Sequence, residues 1–236
     1  PHGDACHGLY PNSALLAKPR LLTAQNHQGK NRYMSDIYPE DLEEAVRFHG
    51  HLCPGLVIGY RAAKVAAAAL QTDRAEDEEL VAIVETDACG VDAVQVLLGC
   101  TLGKGNLIFR DHGKQVFTVI SRKQNKGIRI AVRATAMERT AEQEALLTKA
   151  RSGTASSEEE QAYGSLQKAR VGEILRMSKA DLFDIAAVTP EVPQKARIFK
   201  SVVCHYCGER VMEPRARIRD GEIACIPCSE VYGRGW

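Results

Sequence analysis

Two cysteine pairs, Cys204-His-Tyr-Cys207 and Cys225-Ile-Pro-Cys228, stand 17 residues apart near one end of the chain, and they narrow its possible folds more than any other feature. Each C-x-x-C is a tight knuckle that turns two sulfurs toward one point. Four thiolates at this spacing suit a closed tetrahedral Zn²⁺ site; a rubredoxin-like iron is the alternative occupant. The intervening "ARIRDGEIA" predicts a hairpin with Asp220-Gly221 at its turn. A closed four-cysteine site holds a small fold together and does no chemistry. Residues 201–236 are therefore expected to form a structural zinc finger ligated by Cys204, Cys207, Cys225 and Cys228, with His205 a knuckle residue and no ligand. In that stretch five arginines balance five carboxylates. Phosphate recognition needs a basic footprint, so nucleic acid is a disfavoured partner. The alternation of Arg215, Arg217 and Arg219 keeps a nucleic-acid-binding regulator as a third reading.

The chain has 236 residues and a formal net charge of +1, which suits one or two domains and gives no general pull toward anionic partners. No run approaches the roughly 18 apolar residues that span a bilayer. Eight cysteines would allow a secreted disulfide framework. Their grouping at metal-like spacings, and the lack of a signal-peptide pattern, favour a reducing cytoplasm instead.

Residues 1–34 lack apolar periodicity and are read as a poorly ordered leader, in which Cys6 and His7 are weak ligand candidates. A helix is predicted over residues 39–48, with Ser35 or Asp36 near its N-cap and Glu40 and Asp41 at its positive end. A second follows over residues 54–70, where Gly55 and Gly59 leave room for a close neighbour. Residues 80–86 read as a buried strand and 91–99 as a short helix. Three strands follow in "LIFR", "QVFTVIS" and "IRIAVR", separated by the turns "DHGK" and "RKQNKG". This order predicts an α+β domain with helices against one face of a mixed sheet. It spans residues 35–185 and includes a helical extension at 137–180, whose second helix Ser156 or Ser157 can cap. Residues 186–200 read as an extended linker held open by Pro190 and Pro193.

The second constellation is "FHGHLCPGLVIGY". His49, His51 and Cys53 occupy alternate positions, which share a side if the backbone is extended after Phe48. Cys53 precedes Pro54 at a helix start, whose positive end favours a thiolate. Imidazole and thiolate suit zinc or a late transition metal. Histidines that merely close a helix C-terminus are the alternative. Cys89 follows a strand end and is the candidate fourth ligand or a reactive thiol. Cys53, Cys89, Cys100 and Lys104 are the candidate catalytic residues, since they sit at junctions where active-site groups gather. "GKGN" lacks the Walker A pattern, so phosphate binding at Lys104 is the weaker reading. His112 in "RDHGK" reads as a hairpin-turn residue.

"FHGHLCPG", "ETDACGVDAVQVLLGCTLGKGNLIFRDHGK" and the CxxCGE…CxxC tail resemble the FmdE family associated with molybdenum and tungsten formylmethanofuran dehydrogenase, from about residue 35 to residue 232. The resemblance implies a core similar to the catalytic-domain fold of glyceraldehyde-3-phosphate dehydrogenase and a treble-clef-like finger. His49, His51 and Cys53 correspond to the family's HxHxC motif, and Cys89 and Cys100 to its later cysteine motifs, so the resemblance implies a metal site in the core; its expected ligands are His49, His51, Cys53 and Cys89, holding zinc or a second transition metal. The leading expectation is a cytoplasmic metal-binding accessory protein, homodimeric, that docks onto or supplies a molybdenum or tungsten oxidoreductase. The alternative is a stand-alone metal-dependent enzyme. Closed protein coordination at the core site would favour the first, and an open position beside a pocket the second.

Overall fold

The computed structural model describes residues 38–189 and 191–229. The leader with Cys6 and His7, the caps expected from Ser35 and Asp36, and Pro190 lie outside the described residues. The chain divides into two compact units between Ala196 and Arg197. No helix among the described residues is long and apolar enough to cross a membrane.

The first unit is built on a five-stranded mixed sheet, β1 (Leu80–Val84), β2 (Leu107–Phe109), β3 (Val116–Ser121), β4 (Lys126–Val132) and β5 (Phe183–Val188), in the order β2-β1-β3-β4-β5. β1 runs parallel to β2 and antiparallel to β3; the remaining pairs are antiparallel. Every β1 side chain is buried, as its unbroken apolar run predicts. Leu80, Ala82 and Val84 face the main core with Phe117, Val119, Ile128 and Ile130. Val81 and Ile83 face the other side with Ile120. Because β2 and β3 flank β1, "RDHGK" is a crossover past the end of β1 and not the expected hairpin turn. Its backbone is tied to β1 through Arg110 N–H to Val84 C=O and Lys114 N–H to Glu85 C=O, and His112 pairs with Glu85 at 3.0 Å.

Three helices position the chemistry: α1 (Glu40–His49), α2 (Pro54–Leu70) and α3 (Gly90–Leu98). α1 starts with Pro39 at the N-cap position and no capping side chain. α2 and α3 cross with almost no gap. A Cβ on Gly59 would stand 2.0 Å from the Gly90 carbonyl oxygen, and one on Gly90 would stand 3.2 Å from Gly59 Cα and 3.1 Å from Phe117 Cζ. Two backbones therefore meet where the side chains are missing, directly over the sheet.

The helical extension forms α4 (Ala141–Ser152) and α5 (Ser157–Arg176), each opened by a capping box, Thr140 with Gln143 and Ser156 with Glu159. α5 returns to α2, where Arg61 donates to the carbonyls of Ile174, Leu175 and Met177. After the one-turn α6 (Lys179–Leu182), β5 pairs with β4 from Phe183 through Val188. The first residues read as linker thus complete the sheet. The next ones also dock: Arg122 donates to Pro193 C=O, and Ala196 N–H donates to buried Glu78 at 3.1 Å.

The second unit contains two small hairpins, β6 (Ser201–Val203) with β7 (Arg210–Met212) and β8 (Arg217–Arg219) with β9 (Glu222–Ala224). Asp220 (φ 49°) and Gly221 (φ 84°) make the expected turn, both left-handed as a two-residue hairpin loop of this twist requires.

The Gly59–Gly90 contact yields a direct test. Alanine is the better helix former, by about 1 kcal/mol, yet a 2.0 Å approach to a carbonyl must open the crossing. Gly59→Ala is expected to lower stability by about 2 kcal/mol and the thermal midpoint by roughly 5 °C. An unchanged or raised midpoint in thermal unfolding would mean that this crossing does not hold the domain.

Candidate metal centre

The centre grows from the way α1 ends. Gly50 takes φ 94°, which only glycine adopts without strain, and its N–H closes the helix on Val46 C=O. His49 is therefore still the last helical residue, one later than expected. The convergence of the motif comes from this turn, not from an extended run of alternate residues. The chain reverses, and Cys53 (φ −143°, ψ 161°) caps α2 through its sulfur, which accepts Leu56 N–H at 3.4 Å. One ligand atom from each of His49, His51 and Cys53 lies within 4.8 Å of the others. His49 Nε2 is 3.8 Å from Cys53 Sγ. Tetrahedral zinc with its usual bond lengths would hold such a pair about 3.6 Å apart. The two imidazole rings lie 4.5 Å apart, centroid to centroid.

Asp92, on the first turn of α3, accepts from His49 Nδ1 at 2.7 Å, and its other oxygen accepts from Gln95 at 3.3 Å. With Nδ1 engaged by a carboxylate, Nε2 is the nitrogen left for a metal, which is how histidine ligands are commonly oriented. Sequence reasoning missed this role of Asp92. The signal was available in the first-turn position of a carboxylate on a helix forced against α1, but the pairing itself is tertiary.

Cys89 precedes α3 and sits against Cys53. A Cβ on Gly55 would be 3.7 Å from Cys89 Sγ and 4.0 Å from Cys53 Sγ, so both sulfurs flank the glycine-lined gap. Burial, then the charge and hydrogen bond of Cys53, push the Cys89 thiol above its ordinary range. Its sulfur is not among the three converging ligand atoms. On the pocket side, His49, Cys89 and Asp92 share the wall of a cavity of about 470 Å³ with Thr86, Asp87 and Phe109. That cavity lies at the carboxyl ends of the parallel strands β1 and β2, where ligands of open α/β sheets bind.

Two other candidates are placed elsewhere. Cys100 follows the C-terminus of α3, is fully buried, and has its thiol pushed up to about 12 by burial. It packs in the main core and does not line the cavity that Cys89 faces. Lys104 Nζ donates to the carbonyls of Ala75 and Glu76 at 3.2 Å each, so it clasps a loop and is not offered to a phosphate. Asn106, which sequence reasoning passed over, is the hub of that loop. It is fully buried, donates to Leu80 and Gly99 carbonyls and accepts from Thr101 N–H.

In the second unit the sulfurs of Cys204, Cys207, Cys225 and Cys228 all lie within 4.8 Å of one another. Cys207 and Cys225 Sγ are 3.8 Å apart, which matches the separation of about 3.8 Å that a tetrahedral Zn–S₄ centre needs. Burial works against charge on Cys204, but N–H groups of Cys225, Cys207 and Tyr206 turn toward its sulfur and hold the thiol at about 6. His205 is exposed and directed to Glu222, outside the four-sulfur cluster. Arg219 stacks over Tyr206 at 4.7 Å and donates to Cys228 C=O at 3.1 Å. One of the three alternating arginines is thus engaged inside the finger, which further reduces its basic face. Since these four ligands organise a unit with few other buried groups, a chelator, or Cys225→Ser, is expected to unfold residues 201–229 while β1–β5 stay folded. Amide exchange checks this: protection should vanish in the tail alone, and loss of protection throughout would contradict it.

Comparison with known proteins agrees with this division. The family model described as FmdE, molybdenum formylmethanofuran dehydrogenase operon, matches residues 48–184, and the prokaryotic dksA/traR C4-type zinc finger matches residues 197–232. A probable S-adenosyl-L-methionine-binding protein of Archaeoglobus fulgidus is 33% identical over 204 residues, which is 82% of this chain and 55% of that protein. The chain thus spans about half the length of this relative. The crystal structure of a tungsten formylmethanofuran dehydrogenase FmdE-like protein from Syntrophus aciditrophicus aligns with a TM-score of 0.51 at 25% identity, covering 79% of this chain and 89% of that one. With the family model starting one residue before His49 and ending inside β5, the chain belongs to the FmdE family and carries a C4-type zinc finger after its core.

Proposed function

We propose that the FmdE-type core is a transition-metal centre open to a small-molecule pocket. His49 Nε2, His51 and Cys53 Sγ are its ligands, and Cys89 stands beside Cys53 as a fourth ligand or a reactive thiol. The observation that carries this reading is the three-atom convergence beside the cavity, with His49 already oriented by Asp92. Two imidazoles and a thiolate form a donor set for zinc or a late transition metal. Such an ion, when bound, supplies Lewis-acid polarisation at an open position. The chain's own residues do the rest. Asp92 fixes the His49 ring. Val84, Leu107 and Phe109 line the cavity with apolar surface, and Thr86 and Asp87 give it polar points of contact. A volume near 470 Å³ falls in the usual range for small ligands, about 300–1,000 Å³. Likeness to the Archaeoglobus fulgidus relative makes an S-adenosyl-L-methionine-type molecule a candidate occupant. This favours a metal-dependent activity of the chain's own over a closed structural site.

The family's description supports a second reading, an accessory role in which the protein docks onto a molybdenum or tungsten oxidoreductase or delivers its metal or cofactor. Under either reading we propose a homodimeric, cytoplasmic protein. Its core resembles the catalytic domain of glyceraldehyde-3-phosphate dehydrogenase, and its structural zinc finger is treble-clef-like.

Metal analysis of the full chain tests the centre. The wild type is expected to hold one transition metal beyond the tail zinc. His51→Ala and Cys53→Ser should lose it and keep the zinc. Asp92→Asn should weaken it by roughly 10- to 100-fold, since the carboxylate orients His49 without touching the metal. Full core occupancy in both ligand variants would reduce the motif to a helix junction.

A further inference from the structure

We infer that Cys53 and Cys89 form a redox-active dithiol, in which an oxidant of the hydroperoxide class converts a metal ligand into half of a disulfide. This rests on the proposed centre for its consequence but not for its chemistry. The geometry points to the pair from three sides. Both sulfurs lie within 4.0 Å of the point where a Gly55 Cβ would stand. That point is left open by the absence of a side chain: a Cβ there would be 3.2 Å from Cys89 Cβ. The glycine crossing of α2 and α3 brings together the two N-termini from which the thiols project. Both cysteines are partly exposed, and Cys89 lies on the wall of the open cavity. Small polar oxidants therefore have a route. Cys100, the other core cysteine, is fully buried at the far end of α3 and is not a competing partner.

The chemistry balances without a further reactant. The Cys53 sulfur attacks the O–O bond of the hydroperoxide, giving a sulfenic acid and releasing water (or an alcohol). The Cys89 sulfur then attacks that sulfur, forming the S–S bond and expelling a second water. Two thiols lose two electrons and two protons, and the peroxide is reduced. The disulfide removes the Cys53 thiolate from the ligand set, so oxidation and metal binding exclude one another. Cys89 also protects Cys53 from irreversible over-oxidation, because the disulfide is recovered by thiol reductants whereas a sulfinic acid is not.

The test exposes the full-length protein, stripped of metal by a chelator and then given one equivalent of zinc to refill the tail, to hydrogen peroxide, and maps peptides by mass spectrometry without reduction. The expected product links the peptide containing Cys53 to that containing Cys89. Metal uptake by the core should be lost and should return on treatment with dithiothreitol. In Cys89→Ala the link is absent, Cys53 advances to sulfinic acid, and dithiothreitol no longer restores uptake. A wild type in which Cys53 is over-oxidised without a link, or in which Cys89 pairs with Cys100, would overturn the inference. If the reduced protein takes up no core metal while the link still forms, the metal centre fails and the dithiol stands.

Discussion

The crossing on which the core depends is backbone on backbone. Gly59 of α2 and Gly90 of α3 meet with no side chain between them, over Phe117 of the sheet. Packing density makes this contact unforgiving, since even one methylene has nowhere to go. Its effect reaches well beyond stability. It sets the first turns of two helices side by side, and the residues that precede those turns are Cys53 and Cys89. It also swings Asp92 toward the end of α1, within reach of His49. A site built this way takes its precision from glycine, not from its own ligands.

Much of the architecture was legible in the residues. The buried run of β1, the length of α2 and the serine cap of α5 follow from local chemistry alone, and each element lies within a few residues of its expected place. Gly55 and Gly59 announced a close neighbour, although nothing in the sequence said that Gly90 would be it. The hairpin assumed at "RDHGK" failed for a non-local reason. Strand order depends on which neighbour the whole sheet prefers, and β2 pairs with β1, where Leu107 is buried. β5 was hidden because, of its six residues, only Phe183 is fully buried, so its apolar residues do not mark a core-facing strand.

The candidate centre was legible in composition and less so in geometry. His49, His51 and Cys53 were visible as ligand types at close spacing. Their convergence needed the left-handed Gly50, and the orienting carboxylate needed a partner 43 residues away. Cys100 and Lys104 stand apart from that centre. Their positions beside glycine-rich turns suggested chemistry, but one is sealed in the core and the other is occupied by two carbonyls. The four tail cysteines were simplest to read, because each knuckle is local and the centre requires only that two knuckles meet.

Arg61 holds three carbonyls at the end of α5, and β5 pairs with β4 across roughly fifty intervening residues that contain α4 and α5. Closing that long loop directly by strand pairing would cost more chain entropy than closing it after the helices have docked. By anchoring the returning helix to α2, the guanidinium leaves only the few residues of α6 between a fixed helix end and the edge strand, which keeps the closure of β5 onto β4 short.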